Sequence, residues 1–300
     1  MKLKNSRIRI FFLIALFSFF AISCRQTESR VPEPYFEWVD SYGREVILEK
    51  EPQRIVSLSP GITEMIFMLQ SEDKLVGITD FCNFPESTGN ITKVGGLINF
   101  SIEYILSLEP DVVLIGSIVQ KEDVEKMESV GLPVIAIREE NRIEGIYDAL
   151  EVLGQIVNKE ELAARQIDLL KTKVAEIELP DQPKQERRSV YYVVGFGDGG
   201  DYTAPRNSHI HEIITLAGGR NIGEDLTGWN VSREYLFDQD PHIIVIRKED
   251  KDKFCSTHPY TQLNAVKNER VYPIESGWID IISPRNIHAV EFINAAITEE

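Results

Sequence analysis

Three hundred residues are enough for two domains of ordinary size, and a chain that is 43% hydrophobic and 27% charged has the balance of a folded globular protein. A formal net charge of −16, with no basic run and no aromatic–basic stripe, argues against a nucleic-acid partner and favours a basic one.

The chain opens on an export signal. Lys2, Lys4, Arg7 and Arg9 precede an apolar run from Ile10 to Ile22, and no acid occurs before Cys24. That run is shorter than the roughly 20 residues a membrane-spanning helix needs. Ala21-Ile22-Ser23-Cys24 reads as a bacterial lipobox in which alanine takes the usual leucine position. It predicts cleavage before Cys24, lipid on the Cys24 sulfur, and an exported protein anchored at a membrane, facing the periplasm or the cell exterior. An ordinary signal peptide, or an uncleaved anchor, is the other reading of the same residues. Cys82 and Cys255 are the remaining cysteines; a disulfide and two isolated thiols fit equally well.

After a polar tether (residues 25–34), short β-rich runs at 36–39 and 45–48 flank a Gly43 turn and predict a hairpin. Residues 54–58 predict a buried strand, followed by Ser59 as helix cap and Pro60 at the first helical position. Strands are expected at 75–78, 112–115 and 133–137, with helices opening at Ser101 and near Lys121; residues 81–96 have no helical period and predict loop. This alternation implies a parallel sheet covered by helices. From Ile143 to Ile177 a 3.6-residue apolar period predicts a connecting helix of about 50 Å at roughly 1.5 Å per residue, with Gly154 and Asn158 as the places where it would kink or break. A second lobe starts with a strand at 189–194 and a glycine-rich turn at 195–200, then a helix at 209–217, a strand at 270–274 and a closing helix at 284–296. The expected divisions are residues 1–24 (signal), 25–53 (tether and hairpin), 54–142 (first lobe), 143–180 (connecting helix) and 181–300 (second lobe).

One pattern occurs twice. Ser101-Ile-Glu103-Tyr104 leads to Glu109-Pro110 and the run Asp111 to Ile115; Ser232-Arg-Glu234-Tyr235 leads to Asp240-Pro241 and the run His242 to Ile246, at identical spacing. A repeat this long predicts two similar lobes with a cleft between them. Each serine caps a short helix, so each glutamate sits in a first turn, where the helix dipole favours it. Alone, such a glutamate is accounted for by that dipole. As a matched pair, Glu103 and Glu234 suit a two-fold symmetric partner with exposed arginines.

Arg54-Ile-Val-Ser-Leu-Ser-Pro-Gly-Ile-Thr-Glu64, Phe81-Cys-Asn-Phe-Pro85, Lys93-Val-Gly-Gly96 and the two Ser-x-Glu units resemble the helical-backbone substrate-binding proteins of ABC importers, the receptors for vitamin B12, ferric siderophores and haem. The resemblance covers the chain from about Phe36 onward. It implies two Rossmann-like α/β lobes with parallel sheets joined by one long rigid helix, and an interlobe cleft that closes only slightly. It implies a monomer, no catalysis and no resident cofactor, a cargo that is a metal-containing chelate or tetrapyrrole, and a permease dimer with its ATPase subunits as partner, docked through Glu103 and Glu234. The cleft is expected from loops at strand C-terminal ends: Ser59, Pro60, Phe81, Cys82, Phe84, Leu97 and Gly116 in the first lobe, and Phe196, Trp229, Trp278 and Asp280 in the second. Aromatic walls suit a flat corrin or porphyrin ring, although each aromatic taken alone fits core packing as well. Gly277-Trp278 matches the place where the vitamin B12 receptors also have tryptophan. Gly96-Leu97 and Gly116 depart from the large aromatics of those receptors, and Gly277 and Ile281 from their charged residues. A corrinoid or ferric-siderophore cargo is the expectation, with haem as the alternative.

Other chemistry is poorly supported. The histidines are His209, His211, His242, His258 and His288, and no Cys/His spacing makes a metal site. Tyr191 and Tyr192 are adjacent in a strand and face opposite ways, so they do not form a joint iron site. The Gly195–Gly200 turn lacks the order of a phosphate loop, and Asp198 and Asp201 are ordinary turn residues as well as conceivable cation ligands. A secreted α/β hydrolase is the rival from another class, but no nucleophile–base constellation carries it.

Overall fold

The computed structural model describes residues 33–138, 142–177, 179 and 182–299; the elements below belong to a unit that runs from Tyr35 to Glu300. The export signal, Cys24 and most of the tether lie outside the described residues.

The first element is the expected hairpin, β1 (Phe36–Val39) paired antiparallel with β2 (Glu45–Leu48). Its turn is organised by Asp40, which is buried. The Asp40 carboxylate accepts backbone N–H groups of Tyr42 at 2.9 Å, Arg44 at 3.0 Å and Ala136 at 3.2 Å, and it pairs with the Arg44 guanidinium. The Ala136 bond fastens the hairpin tip to the end of the fourth strand of the first sheet.

The first lobe contains β3 (Ile55–Ser57), α1 (Pro60–Met68), β4 (Leu75–Ile78), α2 (Ile102–Ser107), β5 (Val112–Ile115), α3 (Lys121–Ser129) and β6 (Val134–Ala136). Its sheet has the order β4-β3-β5-β6, and every pairing is parallel. Every residue of β3, β5 and β6 is buried, as expected of short apolar strands covered on both faces.

The segment expected to form one rod is two helices, α4 (Ile143–Ile156) and α5 (Glu160–Ala175), packed on each other. The break falls at one of the weak points named above. Asn158 has φ of 58°, a left-handed conformation that no helix interior accommodates but asparagine tolerates. Its side chain donates to Glu51 at 3.2 Å, which holds the turn against the base of the first lobe. Gly154 allows the return: a Cβ there would stand 2.7 Å from that of Ala163.

The second lobe contains β7 (Ser189–Val193), β8 (Asp201–Tyr202), α6 (His209–Leu216), β9 (Arg220–Asn221), β10 (Asn230–Val231), α7 (Arg233–Gln239), β11 (Ile243–Arg247), α8 (Lys251–Ser256), α9 (Asn264–Lys267), β12 (Val271–Ile274), α10 (Ser276–Ile279) and α11 (Asn286–Thr298). Its main sheet runs β9-β7-β11-β12, again wholly parallel, while β8 and β10 form a separate antiparallel ribbon. Counted along the chain, both main sheets place their strands in the same order: second, first, third, fourth.

The apolar core shows how the lobes cohere. One cluster lies on the outer side of each sheet, around Val113 and Ile115 in the first lobe and around Tyr191 and Ile246 in the second. The third runs without interruption from Ile55, Ile62 and Leu114 through Leu150 and Leu153 of α4 to Val190, Ile243 and Ile293. Separating the lobes would expose this shared core to water, so the hydrophobic effect opposes wide opening.

Candidate functional site: an interlobe cleft and a pair of exposed acids

The two copies of the repeat adopt one local structure. The Ser101 hydroxyl accepts Tyr104 N–H at 3.1 Å and the Ser232 hydroxyl accepts Tyr235 N–H at 3.1 Å, capping α2 and α7. Both helices end on an acid in the left-handed region immediately before proline, Glu109 with φ of 47° and Asp240 with φ of 35°. Glu103 and Glu234 are exposed in the corresponding first turns. Ser101 N–H bonds Val94, which in turn bonds Ile78 at the end of β4; Arg233, next to Glu234, bonds Gly197 in the turn after β7. Both acids therefore lie toward the C-terminal ends of their sheets, the side on which the cleft opens.

The cleft is a cavity of about 570 Å³ lined by Pro60, Phe81, Asn83, Phe84 and Leu97 of the first lobe and by Glu275, Ser276, Gly277, Trp278, Asp280, Ile281 and Arg285 of the second. The lining comes from loops after β3, β4 and β12, as the topology requires. Phe81 and Phe84 are 55% and 45% exposed, large apolar side chains at the mouth. Trp278 faces them from α10, backed by His288 at 5.4 Å and Phe292 at 6.4 Å between ring centroids.

Of the candidates, Pro60, Phe81, Phe84, Leu97, Trp278 and Asp280 line the cavity; five others do not. Cys82 is 1% exposed, and its Sγ lies 3.2 Å from the hydroxyls of both Thr63 and Thr79. Its carbonyl accepts Lys93 Nζ at 2.7 Å, so Cys82 anchors the loop that presents Phe81 and Phe84. Ser59 is turned back to cap α1. Gly116 is buried at the end of β5 and does not reach the cavity. Phe196 packs edge-on against Phe254 at 5.1 Å and Tyr260 at 5.7 Å, in the outer core of the second lobe. Trp229 is exposed just ahead of β10 and is not a lining residue. Cys82 and Cys255 are both free thiols. Tyr191 and Tyr192 are both fully buried, on opposite faces of β7. Asp201 is committed to Tyr260, Arg233 and Gly197 N–H.

Charge in the cleft is confined to matched groups. Asp280 accepts the Tyr192 hydroxyl at 2.6 Å and Arg247 Nε at 2.6 Å. Burial, then the nearby Asp280 carboxylate, push the Tyr192 hydroxyl far above its usual range, so it is a fixed donor. Arg285 is met by Glu64, a buried residue of α1, whose carboxylate accepts Nε at 2.8 Å and also Nη2. Burial pushes the Glu64 carboxyl up, and the Arg285 charge opposes that. Neither Glu64 nor Arg285 was a candidate from the sequence: they lie 221 residues apart with no local pattern to join them. The lining includes no histidine, tyrosine, cysteine or methionine. Among the described residues no group of three or more His, Cys, Asp or Glu could hold a metal ion.

Known proteins share this fold. The chain is 28% identical over 265 residues to the uncharacterized ABC transporter substrate-binding lipoprotein YvrC of Bacillus subtilis, covering 86% of this chain and 84% of that protein. It is 28% identical over 214 residues to a cobalamin-binding protein of Halobacterium salinarum, covering 69% of this chain and 57% of that one. The crystal structure of the periplasmic heme-binding protein HutB of Vibrio cholerae superposes with a TM-score of 0.73 at 18% identity, over 82% of this chain and 99% of that one, and shares its fold. Residues 55–276 match the family model for periplasmic binding proteins, and the chain belongs to that family.

Proposed function

We propose that this chain is the substrate-binding lipoprotein of an ABC importer, and that its cleft takes up a corrinoid and delivers it to a permease dimer. The observation that carries the cargo class is the composition of the cleft. Aromatic side chains enter from both lobes, and among the described residues the lining has no histidine, tyrosine, cysteine or methionine, the side chains that usually ligate haem iron axially. Such a surface suits a cargo whose metal is already fully coordinated and whose flat ring system stacks on aromatics. Haem commonly takes histidine, tyrosine, cysteine or methionine as axial ligand, and none of these is among the described lining residues. The Halobacterium relative, a cobalamin-binding protein, supports the corrinoid reading. The Bacillus relative supports both the importer and the lipid on Cys24.

Delivery rests on Glu103 and Glu234, two exposed carboxylates matched in position and backbone geometry, each able to take a bidentate arginine. The test is titration of the purified full chain in detergent with cyanocobalamin, haemin and ferric siderophores, followed by tryptophan fluorescence and calorimetry. Saturable quenching by cyanocobalamin alone is the expected result. Saturation by haemin or a ferric siderophore instead would reassign the cargo, and no saturation by any of them would overturn the cleft reading. Palmitate labelling that disappears in Cys24→Ser is expected for the anchor; an unlabelled wild type would overturn it.

A further inference from the structure

Arg285 is held on three sides. Glu64 grips it in two-point fashion from α1, which fixes orientation as well as distance. Its guanidinium carbon lies 4.2 Å from the centroid of the Phe84 ring, within cation–π range. On the third side is Gly277, where a Cβ would stand 2.5 Å from Nη1 and 2.8 Å from Nη2. The residue before Trp278 is thus trimmed to admit the guanidinium. Asn286, next to Arg285, donates its side-chain N–H to the Trp278 carbonyl at 2.8 Å. Glu64 and Phe84 belong to the first lobe, and Gly277, Trp278, Arg285 and Asn286 to the second.

A buried ion pair is weak support for stability, because desolvation offsets most of the attraction; what it supplies well is a defined geometry. We propose that Glu64 and Arg285 are positioning residues, an interlobe ion pair that fixes the spacing of the Phe84 and Trp278 walls before any cargo arrives. This rests on the cleft reading above. The receptor then recognises its ring by a preset gap, and the ordering cost is met in folding rather than in binding.

Glu64→Gln keeps the size of the side chain and removes the charge; Gly277→Ala leaves both charges and displaces Arg285 by steric pressure. Both are studied as full chains with wild-type circular dichroism. Wild type is expected to bind cyanocobalamin in one step, with an observed rate linear in concentration. The variants are expected to bind about tenfold or more weakly, with a rate that saturates because the lobes must first be brought into register. Spin labels at Lys121→Cys and Asp198→Cys, in a Cys255→Ser background, should give one narrow distance in ligand-free wild type and a broad one in Glu64→Gln. Folded variants with unchanged affinity and an unchanged distance distribution would overturn the proposal. A wild type that ignores cyanocobalamin while the variants still broaden would remove the corrinoid reading and leave the positioning role standing.

Discussion

The two lobes share strand order, helix caps and the left-handed acid before proline, yet they build the cleft differently. The first contributes an exposed aromatic loop pinned from beneath by Cys82 and Lys93. The second contributes a polar frame in which Tyr192, Arg247 and Asp280 satisfy one another behind Trp278. The helices that carry Glu103 and Glu234 differ as well. Arg233, beside Glu234, bonds Asp201 at 3.0 Å and the Gly197 carbonyl at 2.9 Å, whereas the first lobe has Ile102 at that place. Matching has been kept in strand order, serine caps and the two exposed acids, and lost in the residues that line the cleft.

The comparison breaks most visibly at the acids. Glu103→Ala with Glu234→Ala should abolish uptake and leave cyanocobalamin affinity unchanged, since charge-assisted contacts contribute roughly 1.5–3 kcal/mol each. If the lobes are equivalent in docking, the two single variants cost the same; uptake by the double variant at the wild-type rate would end the docking role. Within the cleft, Trp278→Ala should weaken binding by about 10- to 100-fold, and Phe84→Ala by less because its ring is more exposed; calorimetry ranks them. Asp280→Asn should lower stability by about 1–2 kcal/mol in denaturant unfolding, the charge-assisted bonds to Tyr192 and Arg247 being discounted for partial exposure.

The smallest effect is a difference in acid response. All five histidines lie in the second lobe. Burial of His209 lowers its pKa from the ordinary 6.5, although its bond to the Ile279 carbonyl and the nearby Asp280 charge oppose the shift. A depressed folded-state pKa means that its contribution is complete above pH 6.5 and is lost as pH falls through the folded value. For Asp40 in the first lobe, burial acts upward, but the bonds from Arg44, Ala136 and Tyr42 outweigh it and leave the carboxyl below its ordinary 3.8. Its contribution is therefore lost only at more acidic pH than that. Hydrogen exchange on the way down from neutrality should show second-lobe amides losing protection first, and His209→Gln should delay that loss; simultaneous loss in both lobes would contradict the assignment.

Much of this was legible because it is local. The hairpin, Leu75–Ile78, Val112–Ile115 and both serine caps follow from alternation, apolar runs and capping chemistry within a few residues. The connector was legible as helix, with Asn158 as a weak point, but its folding back into two packed helices was not, because the apolar period continues across a turn that one left-handed asparagine suffices to make. The cleft was read only in part. Aromatic residues suit a core and a binding wall equally, so Phe196 and Trp229 could not be told from Phe84 and Trp278 without the packing around them. Glu64 and Arg285 were invisible, since nothing within either segment announces the other.

The close approach of α4 and α5 has a consequence. α4 rests on α1 of the first lobe, and α5 rests on α11 of the second, so the crossing at Gly154 and Ala163 joins two levers. One added methyl at position 154 would act as a shim at the base of the molecule. It would press α4 and α5 apart at their crossing, since Ala163 Cβ stands only 2.7 Å from where that methyl would sit.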